Sequence, residues 1–175
     1  GYTWLTPTNA QAPKDVKNKN KPKGVGFLIS NTALECVHEI ASNIQDTMWI
    51  SWTSNNTKTI IGNIYMPVAK KGNATKYKEK LRKIKEILKN HKNYNVIIMV
   101  DCNGWLGKGT DEYDIIGTRN PSTVGKDTQY ATKQGKDLAD FLHSQSLHAL
   151  NGRDESSSGS TYVGHGTDAT GTVVD

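Results

Sequence analysis

The chain has 175 residues, 35% of them hydrophobic and 22% charged, which suits a single soluble domain with a substantial core. No apolar run approaches the ~20 residues that a bilayer crossing needs, so a membrane-spanning helix and a membrane partner are not expected. The formal net charge of +5 leans toward a polyanionic partner such as nucleic acid, although charge speaks to association and not to fold.

Residues 1–10 lack the charged start and apolar core of a secretory signal. Cys36 and Cys102 form no zinc pattern, and a secreted domain of this kind would usually carry more cysteines. A reducing compartment, nuclear or cytoplasmic, is therefore expected. The sequons Asn55-Asn56-Thr57 and Asn73-Ala74-Thr75 read as coincidence in a chain rich in Asn, Thr and Lys.

In chain order, Lys14 to Lys23 (KDVKNKNKPK) has no apolar period and reads as a solvated, flexible loop, with a phosphate contact as the sharper alternative. Gly24 to Ser30 (GVGFLIS) resembles a fragment of a dinucleotide fingerprint, but no third glycine follows, so a strand is expected. Thr47 to Thr53 and Thr57 to Met66 are rich in β-branched and aromatic residues, and the polar Ser54-Asn55-Asn56 between them predicts a hairpin. From Thr75 to Asn90, Tyr77, Leu81, Ile84 and Leu88 recur at helical spacing. The remainder of that helix carries Lys76, Lys78, Lys80, Arg82, Lys83, Lys85 and Lys89, either as a solvated outer face or as a contact for a phosphate backbone.

Asn95 to Asp101 is apolar on both faces, which predicts a central strand between two packed layers. A second helix is expected from Lys133 to Ser144, with Leu138, Phe141 and Leu142 inward. Short strands are expected at His148 to Asn151, Ser160 to Tyr162 and Thr172 to Asp175. Strand pairs mixed with helices and no convincing boundary suggest one α/β sandwich domain over residues 1–175.

The chemistry gathers at strand ends. In an extended strand, residues two apart face the same way, so Asp101 and Asn103 are expected to point together while Cys102 points away. A carboxylate that accepts protons or binds a cation, next to a carboxamide that donates and accepts hydrogen bonds, suits a phosphate with a water or metal beside it. The same residues also suit an aspartate that starts a turn. Tyr65 closes the strand that Pro67 forces to exit, and Asn63 shares its face. Thr161 lies in STYVG, and Asp175 ends TVVD.

In this order the segments KGVGFLIS, IIGNIYMP, VIIMVDCNGWLG, KQGKDLADFLHSQSLHALN and STYVGHGTDATGTVVD resemble the endonuclease/exonuclease/phosphatase superfamily. They look most like the apurinic-type endonuclease domains of non-LTR (LINE-type) retrotransposons. The resemblance covers nearly the whole chain, and its strength is the register of the five pieces together. It implies a four-layer α/β sandwich of two packed mixed sheets flanked by helices, and cleavage of DNA phosphodiesters with Mg²⁺ or Mn²⁺. It also implies a role for each residue. Asp101 handles the proton of the attacking water or leaving group. Asn103 and Tyr65 hold the scissile phosphate, with Asn63 beside them. Thr161 lines the groove, and Asp175 orients a catalytic histidine.

Departures from the family pattern qualify this. Val100 and Cys102 stand where the family has glycine and phenylalanine, both at apolar positions. The family's metal-binding glutamate is expected upstream of GYTWL, and its histidine downstream of Asp175. Glu35 and Glu39 follow the GVGFLIS strand and do not replace the glutamate, so the metal ligands are not assigned. His165, before TVVD, is read as an exposed loop residue, and His38, His91, His143 and His148 follow no ligand spacing. The expectation is a partial domain that functions with further segments of a longer polypeptide or a larger complex, the piece itself having little or no catalysis. Two alternatives accompany the nuclease reading. One is an inactive member serving as a binding or scaffold module. The other is a phosphatase or phospholipid diesterase of the same superfamily.

Overall fold

The computed structural model describes residues 1–7, 24–68, 70, 73–104, 106 and 131–150, with the backbone alone at 162–163 and 171–172. In chain order the elements are β1 (Tyr2–Leu5), β2 (Phe27–Ser30), a 3-10 helix (Asn31–Cys36), β3 (Val37–Ile40), β4 (Thr47–Ser54), β5 (Thr57–Tyr65), α1 (Asn73–Asn90), β6 (Asn95–Asp101), α2 (Lys133–Ser144), β7 (Tyr162–Val163) and β8 (Gly171–Thr172). β1 pairs with β2, β3 to β6 form a four-stranded sheet in that order, and β7 pairs with β8. This is an α/β fold, as the sequence predicts. None of the described helices is long and apolar enough to cross a membrane.

The chain divides into two units, residues 1–65 with 86–100, and residues 66–85 with 101–175. The first is built on the hairpin of β4 and β5. Asn55 and Asn56 have φ of 49° and 61°. This left-handed pair matches the twist of a two-residue hairpin turn, and asparagine adopts it at little steric cost. The register that results sets Ser54 opposite Thr57 and Trp49 opposite Gly62. Trp49 is fully buried, and a Cβ built on Gly62 would lie 2.5 Å from its ring, so the glycine is the notch that accepts the indole. The Trp49 Nε1–H has no hydrogen-bond partner among the described residues. Phe27, Ile29, Met48 and Ile50 form a hydrophobic cluster, with Leu5, Val25, Leu34, Val37 and Ile61 packed against it.

Two expectations fail here. Among the described residues β6 is the last strand in the order of its sheet and not a central one, and Ile97 and Met99 are 49% and 45% exposed. An unbroken apolar run is compatible with burial on both faces but does not require it. The other concerns His148–Leu150, which form no strand; Asn151 lies outside the described residues.

The second unit contains most of α1, the turn after β6, and α2. The α1 stripe is as expected, with Tyr77, Leu81, Ile84 and Leu88 all buried, and the helix starts two residues earlier than the sequence predicts. Lys80 is 8% exposed and does not belong to the solvated face where the sequence placed it. It follows Tyr77 by three residues and precedes Ile84 by four, so it falls on the inward side of the helix. α2 has the expected bounds. Thr132 caps it, its Oγ1 accepting from the Gly135 N–H at 3.1 Å. At the far end Ser146 takes φ 52° and the Leu147 N–H donates to the Leu142 carbonyl, closing the helix in a Schellman arrangement. The expected strand at Ser160 to Tyr162 meets β7, Tyr162–Val163, only at Tyr162, and that at Thr172 to Asp175 meets β8, Gly171–Thr172, only at Thr172; residues 160–161 and 173–175 lie outside the described residues.

Candidate active site

Alternation along β6 puts Asn95, Ile97, Met99 and Asp101 on one face. The alternation stops at Asp101, where the strand ends. Asn103 has φ 44°, and its N–H donates back to Asp101 Oδ1 at 3.2 Å. This is an Asx turn, so the Asp101–Asn103 relation is not the strand parity expected from sequence. The two side chains are coupled by a local hydrogen bond instead.

Four further hydrogen bonds fix this turn. The Met66 N–H donates to the Asp101 carbonyl at 2.8 Å, and Asn103 Nδ2 donates to the Met66 carbonyl at 2.7 Å. Cys102 Sγ donates to the Gly104 carbonyl at 2.9 Å, and Tyr77 Oη donates to the Cys102 carbonyl at 3.0 Å. Cys102 and Tyr77 are fully buried, whereas Asp101 and Asn103 are half-buried. The apolar core thus grips the turn from below and leaves the carboxylate and carboxamide toward the surface. Burial first, then the charges of Cys102, Asp137 and Asp101, hold the Tyr77 hydroxyl protonated far above the usual phenol range. It remains a donor at any ordinary pH.

Gly104 is small for a different reason from the turn residues. A Cβ there would lie 3.0 Å from both Gln134 Cβ and the Gly135 nitrogen, so the turn packs directly on the first residues of α2. Lys78 and Asp137 join α1 to α2 by a 3.2 Å ion pair.

Of the residues expected at the site, Asp101 and Asn103 are brought together. Tyr65, the covalent neighbour of Met66, is 40% exposed, and its N–H donates to the Asp46 carbonyl at 3.0 Å. Asn63 shares its face along β5, but its carboxamide is engaged, Nδ2 donating to the Gly26 carbonyl at 2.8 Å. Thr161, Asp175 and His165 lie outside the described residues, as does the Lys14 to Lys23 loop. His91 Nδ1 lies 2.8 Å from the Ile87 carbonyl near the end of α1, a structural contact. The sequence reading missed Tyr77 as a site-shaping residue by counting it as plain core. A hydroxyl-bearing aromatic on an otherwise aliphatic stripe was the available signal, since a buried tyrosine needs a partner for its O–H.

A divalent cation such as Mg²⁺ takes one or two carboxylates, with water and substrate phosphate filling the rest. Asp101 qualifies as one such ligand. The described residues contain no group of three His, Cys, Asp or Glu that could hold a metal, so they do not complete a site.

No family model matches the sequence, and no curated protein matches it. Among solved structures, the endonuclease domain of TRAS1, a telomere-specific non-LTR retrotransposon, is similar with a TM-score of 0.56 and 12% identity. The match covers 85% of this chain and 57% of that one, so the chain spans less than two thirds of the domain it resembles. The likeness shows a retrotransposon-endonuclease type of fold.

Proposed function

We propose that the chain is the core of a phosphodiester-cleaving nuclease that acts on DNA. The observation that carries this reading is the turn after β6. There, an aspartate and a left-handed asparagine are hydrogen-bonded to each other and tied to Met66. That turn belongs to a fold shared with a retrotransposon endonuclease domain.

Hydrolysis of a phosphodiester bonds a water oxygen to phosphorus and breaks the bond to the leaving oxygen. It needs a proton acceptor, donors to the phosphoryl oxygens and a proton for the leaving group. Asp101 is the acceptor in this reading. Asn103 uses one amide hydrogen on Met66 and keeps the second to donate to a phosphoryl oxygen, while its carbonyl oxygen can accept from a water beside the phosphate. Tyr65 and Asn63 keep the phosphate-holding roles that the family resemblance gives them. Thr161 and Asp175 retain the roles that the family resemblance gives them. Mg²⁺ or Mn²⁺ is the expected cofactor, and when bound it would neutralise charge on the phosphoryl oxygens.

The test is nicking of supercoiled plasmid by the protein that contains this chain, with Mg²⁺ and with EDTA. Asp101→Asn is the informative variant, because the asparagine carbonyl still accepts the Asn103 N–H and the turn survives. Nicking is expected to fall by about 10²–10⁴-fold, the usual contribution of a positioned proton acceptor. A variant that nicks at the parental rate removes Asp101 from the chemistry. Turnover of inositol phosphates or sphingomyelin, with DNA left intact, would replace the nuclease reading with the phosphatase or phospholipid diesterase alternative.

A further inference from the structure

We infer that the outer side of α1 is a docking stripe for the phosphate backbone of duplex DNA, separate from the Asp101 turn. At about 100° per residue, Lys78, Arg82, Lys85 and Lys89 recur at intervals of four, three and four and fall on one line. All four are exposed. Each directly follows a member of the buried stripe Tyr77, Leu81, Ile84 and Leu88, so the cationic line runs parallel to the packed edge of the helix. From residue 78 to 89 it extends about 16 Å at 1.5 Å per residue. B-DNA presents a charge about every 1.7 Å of axis, so a stripe of that length faces several phosphates at once.

The charges on this line are mostly available. Lys78 is shared with Asp137 at 3.2 Å, whereas Arg82, Lys85 and Lys89 enter no ion pair among the described residues. The exposed acids of α1, Glu79 and Glu86, lie on a neighbouring line, and Glu79 is paired with Lys83 at 3.2 Å. No acidic residue interrupts the cationic row.

Charge complementarity selects a polyanion, and the rest of the helix selects nucleic acid over a membrane. A helix that lies in a bilayer interface needs a free apolar face beside its lysines. The apolar face of α1 is already buried in the fold, and none of the exposed large hydrophobic residues belongs to this helix. What remains outward is a row of point charges suited to backbone contacts without sequence readout.

The experiment measures binding of two unrelated 30-base-pair duplexes in EDTA across a salt series, using the protein that contains this chain. Metal-dependent cleavage is then silent, and failure of the nuclease reading does not touch the result. The triple variant Arg82→Gln, Lys85→Gln, Lys89→Gln keeps good helix formers at exposed positions. It is compared with a charge-matched control, Lys58→Gln, Lys76→Gln, Lys92→Gln, whose cations are exposed but off the line. Each lost phosphate contact should lower the slope of log affinity against log salt by about 0.9, close to eightfold in affinity at 0.1 M salt. The stripe variant is therefore expected to lose on the order of several-hundred-fold, equally on both duplexes, and the control far less. Equal losses in both variants would reduce the effect to net charge and overturn the stripe. Stripe-dependent binding to phosphatidylserine vesicles, with no effect on duplex binding, would overturn it in favour of a membrane.

Discussion

Asn103 combines two demands that few side chains meet together. Its φ of 44° lies where most side chains pay about 1 kcal/mol or more and where asparagine is among the least strained. Its amide also donates to Met66 at 2.7 Å. Glycine separates the two. Asn103→Gly accepts the same backbone conformation and deletes the carboxamide, so the turn should persist with a stability change of about 1 kcal/mol, the net value of one hydrogen bond. If the amide also holds the scissile phosphate, nicking should fall on the order of 10²-fold or more, as when an electrostatic donor is removed from an active site. Parental nicking by Asn103→Gly would show that the asparagine only shapes the chain.

Among the elements, the hairpin and the two helices were the most legible from sequence, because each is specified by a local signal that tertiary packing then reinforced. Tyr77, Leu81, Ile84 and Leu88 are periodic and all buried, and the Asn55-Asn56 pair turns the chain where a polar break suggested. The less legible features depend on neighbours in space. The apolar run of β6 did not reveal that the strand comes last in its sheet among the described residues, and strand parity did not anticipate an Asx turn beginning at Asp101. The β5 glycine is another such feature, since only the register explains why position 62 lacks a side chain. Gly62→Ala would press a methyl group into the ring of a fully buried tryptophan. Overpacking of this kind costs typically 1–3 kcal/mol, about as much as a strong core mutation of small size. The urea midpoint should drop accordingly, and an unchanged midpoint would mean that Trp49 has room to move.

For the molecule as a whole, the buried phenol of Tyr77 ties global stability to alkaline pH. An unfolded chain ionises this tyrosine near 10.0, whereas the folded state keeps it protonated well above that. The folded form then holds more protons than the unfolded one, so stability falls as pH rises. The contribution is intact below about pH 10 and is lost progressively above it. Tyr77→Phe forfeits the hydrogen bond to the Cys102 carbonyl, about 1 kcal/mol at neutral pH. It also loses that part of the alkaline sensitivity, so parent and variant should converge in urea unfolding as pH is raised past 10. Parallel curves would mean that the hydroxyl is not shielded. At this scale the sequence reading reached the α/β class and the retrotransposon-endonuclease type of fold, because five segments stood in register. It could not weigh the Tyr77–Cys102 contact, which joins residues 25 apart in the chain.

The indole N–H of Trp49 is shut away from solvent and has no hydrogen-bond partner among the described residues. Its protection from exchange with deuterium is expected to come from the exclusion of water. Exchange at that one proton should require the sheet around it to open, and its rate should track the free energy of that opening. Trp4, 61% exposed on β1, should exchange its indole proton at once. The two signals in one nuclear magnetic resonance spectrum would form an internal clock, in which the slow hand times the loosening of the hairpin and the fast one supplies the zero.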